Sequence, residues 1–275
     1  MSAVAAAQDN ARASRLGPRA TAWLLGLAGV AIALAAWTLL SQLLATGGGV
    51  INRLPPPTRV ARELWSYATG DLARDLLFSL RVFAIGWILG VVLATVCGLA
   101  LGRLAFAGGV FLPVVEAIRP VSSIAWVPLS IVWFGFGLTS KVFLVALAVF
   151  LVVIVYAVDG SRRVPPDLAR TASMLGMNRW QTFRSLVLPG TLTEVLIGSR
   201  VALMAGWGTV IVAELVAADS GLGAHLIAVQ QSYNVPAVMA TMMCFAAAGF
   251  AMNALFSMAE QRLMPWRHDR SMAEA

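Results

Sequence analysis

The sequence predicts an all-α polytopic membrane protein with six transmembrane helices. Of its 275 residues, 59% are hydrophobic and only 12% are charged, whereas a soluble domain has about 25% charged residues. Crossing a bilayer as a helix takes about 20 apolar residues, and six such runs with short loops account for most of the length. This composition excludes a soluble enzyme, a coiled coil and a disulfide-rich secreted domain. Cys97 and Cys244 lie in apolar runs and form neither a disulfide framework nor a metal pair.

Six apolar runs divide the chain, and their pattern gives its domain organisation. We predict a cytoplasmic N-terminal tail at residues 1–20 and a transmembrane domain at 21–275. The first run is too long for a signal peptide and is not followed by a clear cleavage site, so we expect it to be retained as a span. The predicted spans cover residues 21–45, 76–101, 110–134, 142–158, 192–217 and 237–258.

Basic residues between the spans predict the orientation. With the N-terminus inside, the inner segments hold twelve arginines, and six basic residues lie on the outer side, including Arg81 near the outer end of the second span. Cytoplasmic loops carry the excess of Arg and Lys in membrane proteins. Both termini are therefore predicted to lie in the cytoplasm, and the formal net charge of +7 is explained without a nucleic-acid partner.

The loop at residues 159–190 is the longest predicted inner loop, and it reads as two short helices. Pro165-Pro166 favour a helix start, and Asp167 places a negative charge near that helix N-terminus. Gly176 is suited to end the helix in a left-handed conformation. Asn178 and Gln181 have the spacing of a capping box for a second helix.

Apolar residues recur at helical spacing in both of these helices, as at Leu168 and Leu175 and at Trp180 and Phe183. Leu188 precedes Pro189, which disfavours continuation of the second helix. A purely solvated connection would need no apolar stripe. The loop therefore predicts a docking element for a cytoplasmic partner, with a structural loop as the alternative.

The spacing within this loop resembles the EAA loop of bacterial ABC importer permeases, which reads EAA, three residues, G, nine residues, I-x-L-P. Here Arg170-Thr171-Ala172 is followed by three residues, Gly176, nine residues and Leu186-Val187-Leu188-Pro189. Four positions match by identity, and Leu186 takes the place of isoleucine. The sequence departs from the motif at its start, where Arg170 and Thr171 replace Glu and Ala.

The resemblance extends from about residue 54 to residue 266 and is most specific for the nitrate, sulfonate and taurine permease subfamily. The tail Arg262-Leu263-Met264-Pro265-Trp266 looks most like taurine permeases. The other matching segments are Leu54-Pro55-Pro56-Pro57, Arg119-Pro120, Ala125-Trp126-Val127-Pro128-Leu129, Trp133-Phe134-Gly135-x-Gly137, Ser140-Lys141, Val212-Ala213-Glu214-Leu215 and Gly221-Leu222-Gly223.

This resemblance implies the type I ABC importer permease fold in the bacterial inner membrane. It implies a pathway formed by two permease chains, usually a homodimer, with two copies of a cytoplasmic ATPase and an external substrate-binding protein. The sequence GxxxxGK[ST] is absent, so we expect a non-catalytic subunit that binds no cofactor, with ATP and Mg²⁺ on the partner ATPase. The ATPase-coupling residues implied are Asp167, Arg170, Thr171, Ala172, Gly176, Leu186, Leu188 and Pro189.

Charged and polar residues within the predicted spans are candidates for the translocation path, because ionisable groups in a membrane are costly and often functional. They are Arg119, Ser122, Ser123, Trp126 and Arg200. The alternatives are that Arg200 pairs with Glu116 or Glu194 between helices, that Glu116 pairs with Arg119, and that the serines only pack helices. Pro128 is expected to kink the third span.

Two other classes of protein stay open at this point. A secondary transporter driven by an ion gradient is expected to carry mid-membrane carboxylates and internal symmetry, of which the sequence shows little. An intramembrane enzyme needs a buried catalytic pair, whereas His225 and His268 both fall outside the predicted spans. An ATP-driven importer permease for a small organic anion or zwitterion, such as taurine or an alkanesulfonate, remains the leading interpretation.

Overall fold

The computed structural model describes residues 18–46, 54–163, 166–216 and 220–263, which form helices and no strand. This confirms the all-α prediction. The chain divides into a unit at residues 1–63 and a unit at 64–275. In the first unit, α1 covers Pro18–Thr46, and α2, which begins there, covers Pro57–Thr69. The indole of Trp37 donates a hydrogen bond to the carbonyl of Pro55 at 3.1 Å.

The second unit contains the remaining helices. In chain order they are α3 (Leu72–Arg103), α4 (Ala105–Ile118), a 3₁₀ turn (Ser123–Trp126), α5 (Val127–Phe134), α6 (Leu138–Arg162), α7 (Pro166–Met174), α8 (Arg179–Thr182), a π turn (Phe183–Val187), α9 (Leu188–Val216), α10 (Leu222–Gln231) and α11 (Val235–Leu263).

Within the described ranges, four helical stretches are long and apolar enough to cross a membrane: Leu72–Arg103, Leu138–Arg162, Trp180–Val216 and Val235–Arg262. A fifth span results if α4 and α5 are counted together. The apolar part of α1, Ala28–Leu43, is shorter than the others. Multiple membrane-spanning helices are thus present, while the count of six and the orientation of the termini stay predictions.

The third span was predicted as one helix at residues 110–134, and that prediction is wrong. Its two halves, Phe106–Ile118 and Ser123–Phe134, meet at 96°. The first helix ends at Ile118 with Arg119 as its C-cap, and Pro120 has no N–H with which to continue it. Pro128 does not kink a helix, because it lies in the first turn of α5, where a missing N–H costs nothing.

Helix α6 lies at the centre of the second unit, with α3 and α9 packed against it. Its valines at positions 145, 149 and 153 are completely buried, and they lie four residues apart on one face. They join Val82 and Phe83 of α3 and Trp207 of α9 in the main hydrophobic cluster.

Glycines in α3 allow its backbone to approach α6. A methyl group added at Gly86 would lie 2.7 Å from Val145 Cβ, and one at Gly90 would lie 2.8 Å from Val149 Cβ. The same face continues through Gly98 and Gly102 toward the other end of α6. These glycines form two small-xxx-small pairs, a spacing that lets helix backbones approach closely.

Indole N–H groups fasten α9 to helices on either side. Trp87 of α3 donates to the carbonyl of Ser199 at 3.3 Å. Trp207 of α9 donates to the carbonyl of Phe245 in α11 at 3.1 Å, and the two rings stack with centroids 4.2 Å apart. These contacts pair tryptophan donors that would otherwise be unsatisfied in an apolar environment.

The expected break at Leu188-Pro189 does not occur. The helix passes from α8 through the π turn at Phe183–Val187 directly into α9. Leu188 N donates to the carbonyl of Phe183, five residues back, rather than four. A π turn shifts the hydrogen-bond ladder by one residue, which accommodates Pro189 in the helix that follows.

We predict that Gly90→Ala destabilises the purified protein by about 1–3 kcal/mol, because the added methyl group would overpack the contact with α6. It would lie 2.7 Å from the Ala146 carbonyl oxygen. The matched control is Gly208→Ala in α9, where an added methyl meets no atom within 4 Å. Thermal unfolding in lipid nanodiscs measures both. Equal midpoints for the two variants would contradict a packing role for Gly90.

Candidate functional site

A polar cavity of about 310 Å³ lies beside the break between α4 and α5. It brings together four of the five residues predicted to line a path: Arg119, Ser122, Ser123 and Trp126. Val121, beside the break, also lines it. The other lining residues come from α6 and α9 and are Leu147, Ala148, Leu151, Val152, Ala205 and Thr209. The 96° bend places residues 119–126 across α6 and α9, which a straight helix would not do.

Hydroxyl groups hold the broken segment against α9. Ser123 Oγ lies 3.2 Å from Thr209 Oγ1, and the Thr209 hydroxyl donates to the carbonyl of Ala205 at 2.9 Å. On the other side of the 3₁₀ turn, Ser122 Oγ accepts a hydrogen bond from the backbone N–H of Ile124 at 3.4 Å. The indole Nε1 of Trp126 is buried and has no hydrogen-bond partner among the described residues.

Arg200, the fifth predicted path residue, does not line this cavity. It pairs with Glu260 of α11, with Nη1 3.2 Å from Oε2. The proposed pairing with Glu116 or Glu194 is therefore wrong, and Glu194 instead pairs with Arg163 at 2.7 Å. Glu260 was overlooked because the sixth span was expected to end at residue 258, whereas α11 continues to Leu263.

Glu116 and Arg119 lie at the end of α4, and both are exposed. Among the ion pairs of the described residues, none joins them. Arg119 is the C-cap of α4 and lies between this helix and the 3₁₀ turn that begins at Ser123. Its guanidinium is thus available to the cavity that it lines.

The predicted coupling segment, residues 159–190, forms two short helices joined at Gly176. Gly176 has φ +79°, Met177 N donates to the carbonyl of Ala172, and Gly176 N donates to that of Ser173. These two bonds form a Schellman motif, which ends α7. Asn178 and Gln181 exchange hydrogen bonds of 2.8 Å, each from the backbone N–H of one to the side-chain oxygen of the other. The Gly176 stop and the capping box are both confirmed.

Large apolar side chains of this segment are exposed. Met174 is 85% exposed, Leu175 77% and Trp180 66%, and the Trp180 and Phe183 rings stack with centroids 5.6 Å apart. By contrast, Ala172 is buried. An apolar surface of this kind marks a contact with another protein or with lipid.

The other predicted coupling residues spread along both helices. Asp167 and Arg170 form an exposed pair at 3.5 Å on α7, which contributes little stability. The Thr171 hydroxyl donates to the carbonyl of Asp167. Leu186 and Leu188 are half-buried, and Pro189 is exposed in the first turn of α9. Because α8, the π turn and α9 are continuous, a force on this segment acts directly on a membrane helix.

A buried carboxylate cluster lies at the opposite end of α9. Glu214 and Ser79 are both completely buried, and Ser79 Oγ lies 2.8 and 3.0 Å from the two Glu214 carboxylate oxygens. Gly223 N donates to the same carboxylate at 2.8 Å, and Leu222 N donates to Ser79 Oγ at 3.0 Å. The cluster fastens the start of α10 to α3 and α9.

Space for this carboxylate depends on Gly221, which has φ +102° and whose added methyl would lie 2.5 Å from Glu214 Cδ. Lys141 of α6 is also buried, and its Nζ lies 5.0 Å from the centre of the Phe78 ring. The separate sequence motifs around residues 140, 214 and 221 thus converge on one place in the fold.

Beside this cluster, Tyr67 and His225 stack with ring centroids 3.9 Å apart. Tyr67 donates a hydrogen bond to Asp75 at 2.8 Å. The pKa of the Tyr67 phenol is raised, mainly by burial and to a smaller extent by this hydrogen bond. Burial lowers the pKa of His225, although the charges of Asp75 and Asp71 oppose that shift.

Sequence reasoning missed Thr209, Ser79 and Glu260 as functional neighbours. The cavity contact of Ser123 with Thr209 spans 86 residues of sequence, and that of Ser79 with Glu214 spans 135. No local pattern encodes such pairings. For the bend that brings Ser123 to Thr209, the sequence carries one signal, because the run Arg119-Pro120 indicates a helix end.

Residues 86–266 match the family described as the binding-protein-dependent transport system inner membrane component. The chain belongs to this family of ABC importer permeases. It is 33% identical over 219 residues to the taurine transport system permease protein of Escherichia coli, covering 78% of this chain and 80% of that one. It is 30% identical to the putative aliphatic sulfonates transport permease protein of Bacillus subtilis, covering 95% of each chain. The nitrate import permease protein of Synechococcus elongatus is 28% identical, with 70% and 71% covered.

Family membership confirms the predicted resemblance to nitrate, sulfonate and taurine permeases, together with the type I ABC permease fold and the multi-pass inner-membrane location. The relatives are transport permease subunits, consistent with a non-catalytic membrane component. Membership also implies partnership with an ABC ATPase and a substrate-binding protein.

For the carboxylate cluster, we predict that Ser79→Ala lowers the free energy of unfolding by about 1–3 kcal/mol, because it leaves Leu222 N–H without its acceptor and removes a donor to Glu214. Ser130→Ala is the matched control. Ser130 is equally buried but donates only to Val127 within its own helix. Denaturation of both variants in nanodiscs measures the difference, and a loss as large for Ser130→Ala would refute the special role of Ser79.

The lowered pKa of His225 predicts a pH dependence of stability. The folded state favours the neutral imidazole, so its contribution is complete above the unfolded pKa of about 6.5 and is lost as the pH falls below that value. His225→Phe keeps an aromatic ring against Tyr67 without a titratable group. Unfolding midpoints measured from pH 7.5 to 5.5 are expected to fall less for this variant than for the wild type. Parallel curves would contradict the prediction.

Proposed function

We propose that this chain forms the translocation path of an ATP-driven importer for a small organic anion or zwitterion such as taurine or an alkanesulfonate. Two copies of the chain form the pathway as a homodimer, and two copies of a cytoplasmic ATPase dock on their coupling segments. The chain itself binds no cofactor, and ATP and Mg²⁺ belong to the ATPase. A substrate-binding protein delivers the solute from outside.

The observation that carries this proposal is the continuity of the coupling segment with a membrane helix. The exposed side chains of Met174, Leu175 and Trp180 supply an apolar surface that suits a groove on a partner protein. From Trp180 the helix runs without a break to Thr209, which lines the polar cavity. Movement of a docked ATPase would therefore reach the cavity through one element, as alternating access requires.

The polar cavity supports the choice of an anionic solute. Arg119 lines it together with hydroxyl groups and an indole, and the relatives named above are permeases for taurine, sulfonates and nitrate. All three solutes carry an oxyanion group.

The alternative is a secondary transporter driven by an ion gradient. The buried carboxylate of Glu214 is the feature that favours it, because such transporters use membrane carboxylates to bind protons or sodium. Uptake into cells depleted of ATP, with the proton gradient maintained, distinguishes the two functions. Persistence of uptake under that condition would select the secondary transporter.

The direct test is ATP hydrolysis by the tagged chain purified with its co-expressed ATPase in lipid nanodiscs. We expect the taurine-loaded binding protein to stimulate hydrolysis beyond the empty binding protein. Stimulation by an alkanesulfonate-loaded form alone would change the substrate and keep the function. Failure of any ATPase to co-purify would refute the proposal.

We predict that Gly176→Val reduces ATP-driven uptake roughly tenfold. A β-branched residue is strained at φ +79° by about 1–2 kcal/mol, and 1.4 kcal/mol is a factor of ten. Gly176→Asn is the matched control, because Asn adopts the left-handed conformation more readily. Uptake into proteoliposomes and the amount of co-purified ATPase report the effect. Normal uptake by the Val variant would show that the turn at Gly176 is not needed for coupling.

A further inference from the structure

We infer that the polar cavity is an oxyanion-binding subsite, in which Arg119, Ser122 and Trp126 donate hydrogen bonds to the sulfonate or similar group of the transported solute. The inference rests on the proposed function, because it concerns the solute of the same path. It adds that the permease itself recognises the anionic end of that solute.

The charge of the cavity is the first argument. Arg119 is exposed and lines it, and none of the described residues that line the cavity is acidic. A guanidinium donates up to five hydrogen bonds and accepts none, and it suits planar or forked oxyanion groups. The cavity therefore attracts an anion and offers no carboxylate to an ammonium group.

The hydrogen bonds around the cavity show which hydroxyls remain available. Thr209 donates its one hydroxyl proton to the carbonyl of Ala205, so in the pair of Ser123 and Thr209 the donor must be Ser123. Both hydroxyl protons are therefore already used in hydrogen bonds within the protein. Ser122 differs, because its oxygen accepts from Ile124 N and its proton is left to donate.

Trp126 supplies the second argument. Its Nε1 is buried without a hydrogen-bond partner among the described residues, although buried polar groups are nearly always paired. An indole N–H is a donor only. Its missing partner is therefore an acceptor. Because Nε1 is shielded from solvent, binding of an oxyanion by this donor includes a turn of the indole toward the cavity.

Cavity size and lining define the rest of the solute. A volume of about 310 Å³ is at the low end for ligand sites, which range from about 300 to 1,000 Å³. Leu147, Leu151 and Val152 of α6 give one side an apolar surface. The subsite is therefore suited to a short carbon chain that ends in an oxyanion, with the chain against α6.

Direct binding to the permease–ATPase complex in lipid nanodiscs, without the binding protein, tests this inference. Isethionate and ethanolamine share a two-carbon chain with a hydroxyl and differ in carrying a sulfonate or an ammonium. Ligand-observed NMR detects binding into the millimolar range. We expect isethionate to bind and ethanolamine not to bind. Equal binding of the two, or binding of neither, would overturn the inference.

Single-donor variants identify the residues. We expect Trp126→Phe and Ser122→Ala each to raise the Kd for isethionate about tenfold, because each loses one hydrogen bond to a charged group. Trp133→Phe is the matched control, since Trp133 lies in the same broken span but contacts Phe134 and Phe143 instead of the cavity. A Kd unchanged in both Trp126→Phe and Ser122→Ala would show that these donors have other partners. Ser122 is exposed, so its variant keeps the test decisive if Trp126→Phe fails to fold.

ATP-driven uptake of taurine by the wild-type complex in proteoliposomes separates this inference from the proposed function. If uptake is present while the variants bind isethionate like the wild type, the subsite is refuted and the importer stands. If no solute is taken up with ATP, the importer itself is refuted.

Discussion

Close backbone contact between α6 and its two neighbours is the constraint on which the rest of this structure depends. In a bilayer, apolar side chains gain little free energy by moving from lipid into a helix contact, so helices associate through van der Waals packing and hydrogen bonds. Glycines supply the approach on both sides of α6: Gly86 and Gly90 on α3, and Gly206 on α9, where an added methyl would lie 2.8 Å from Val149. The rest of the second unit is arranged around this packed group of three helices. One wall of the polar cavity is formed by Leu147, Ala148, Leu151 and Val152 of α6. Lys141 lies at one end of α6, and Arg163, which pairs with Glu194, lies at the other.

The features that the sequence predicted well are those encoded over a few residues. The Gly176 stop and the capping box at Asn178 each involve neighbours within five positions, so residue type and spacing were sufficient to predict them. Ser122, Ser123 and Trp126 were found for a similar reason, because they lie close together next to Arg119-Pro120. Their meeting in one cavity requires the bend, which the sequence did not predict.

What was missed depends on contacts that are distant in sequence or on helix ends. Hydropathy treats residues 110–134 as one apolar run, because it does not register that Pro120 interrupts the hydrogen-bond ladder. Arg200 was expected to pair with Glu116 or Glu194, but its partner is Glu260 near the end of α11, beyond the predicted end of the sixth span. Glu214 was recognisable only as part of a motif, and its bonding to Ser79 and Gly223 required the folded chain.

The π turn at Phe183–Val187 has a geometric consequence for the coupling segment. It fits one additional residue into the helix with almost no additional length, and each residue of an α-helix corresponds to about 100° of rotation. Five residues in a π turn therefore take up about the rotation and the length of four residues in an α-helix. Removing one residue between 183 and 187 would leave the stacked rings of Trp180 and Phe183 pointing in nearly the same direction around the axis of α9, whereas removing one residue elsewhere between Trp180 and Thr209 would rotate Trp180 by about 100°. The π turn thus keeps the angle between the exposed Trp180 surface and the cavity while the chain carries one more residue.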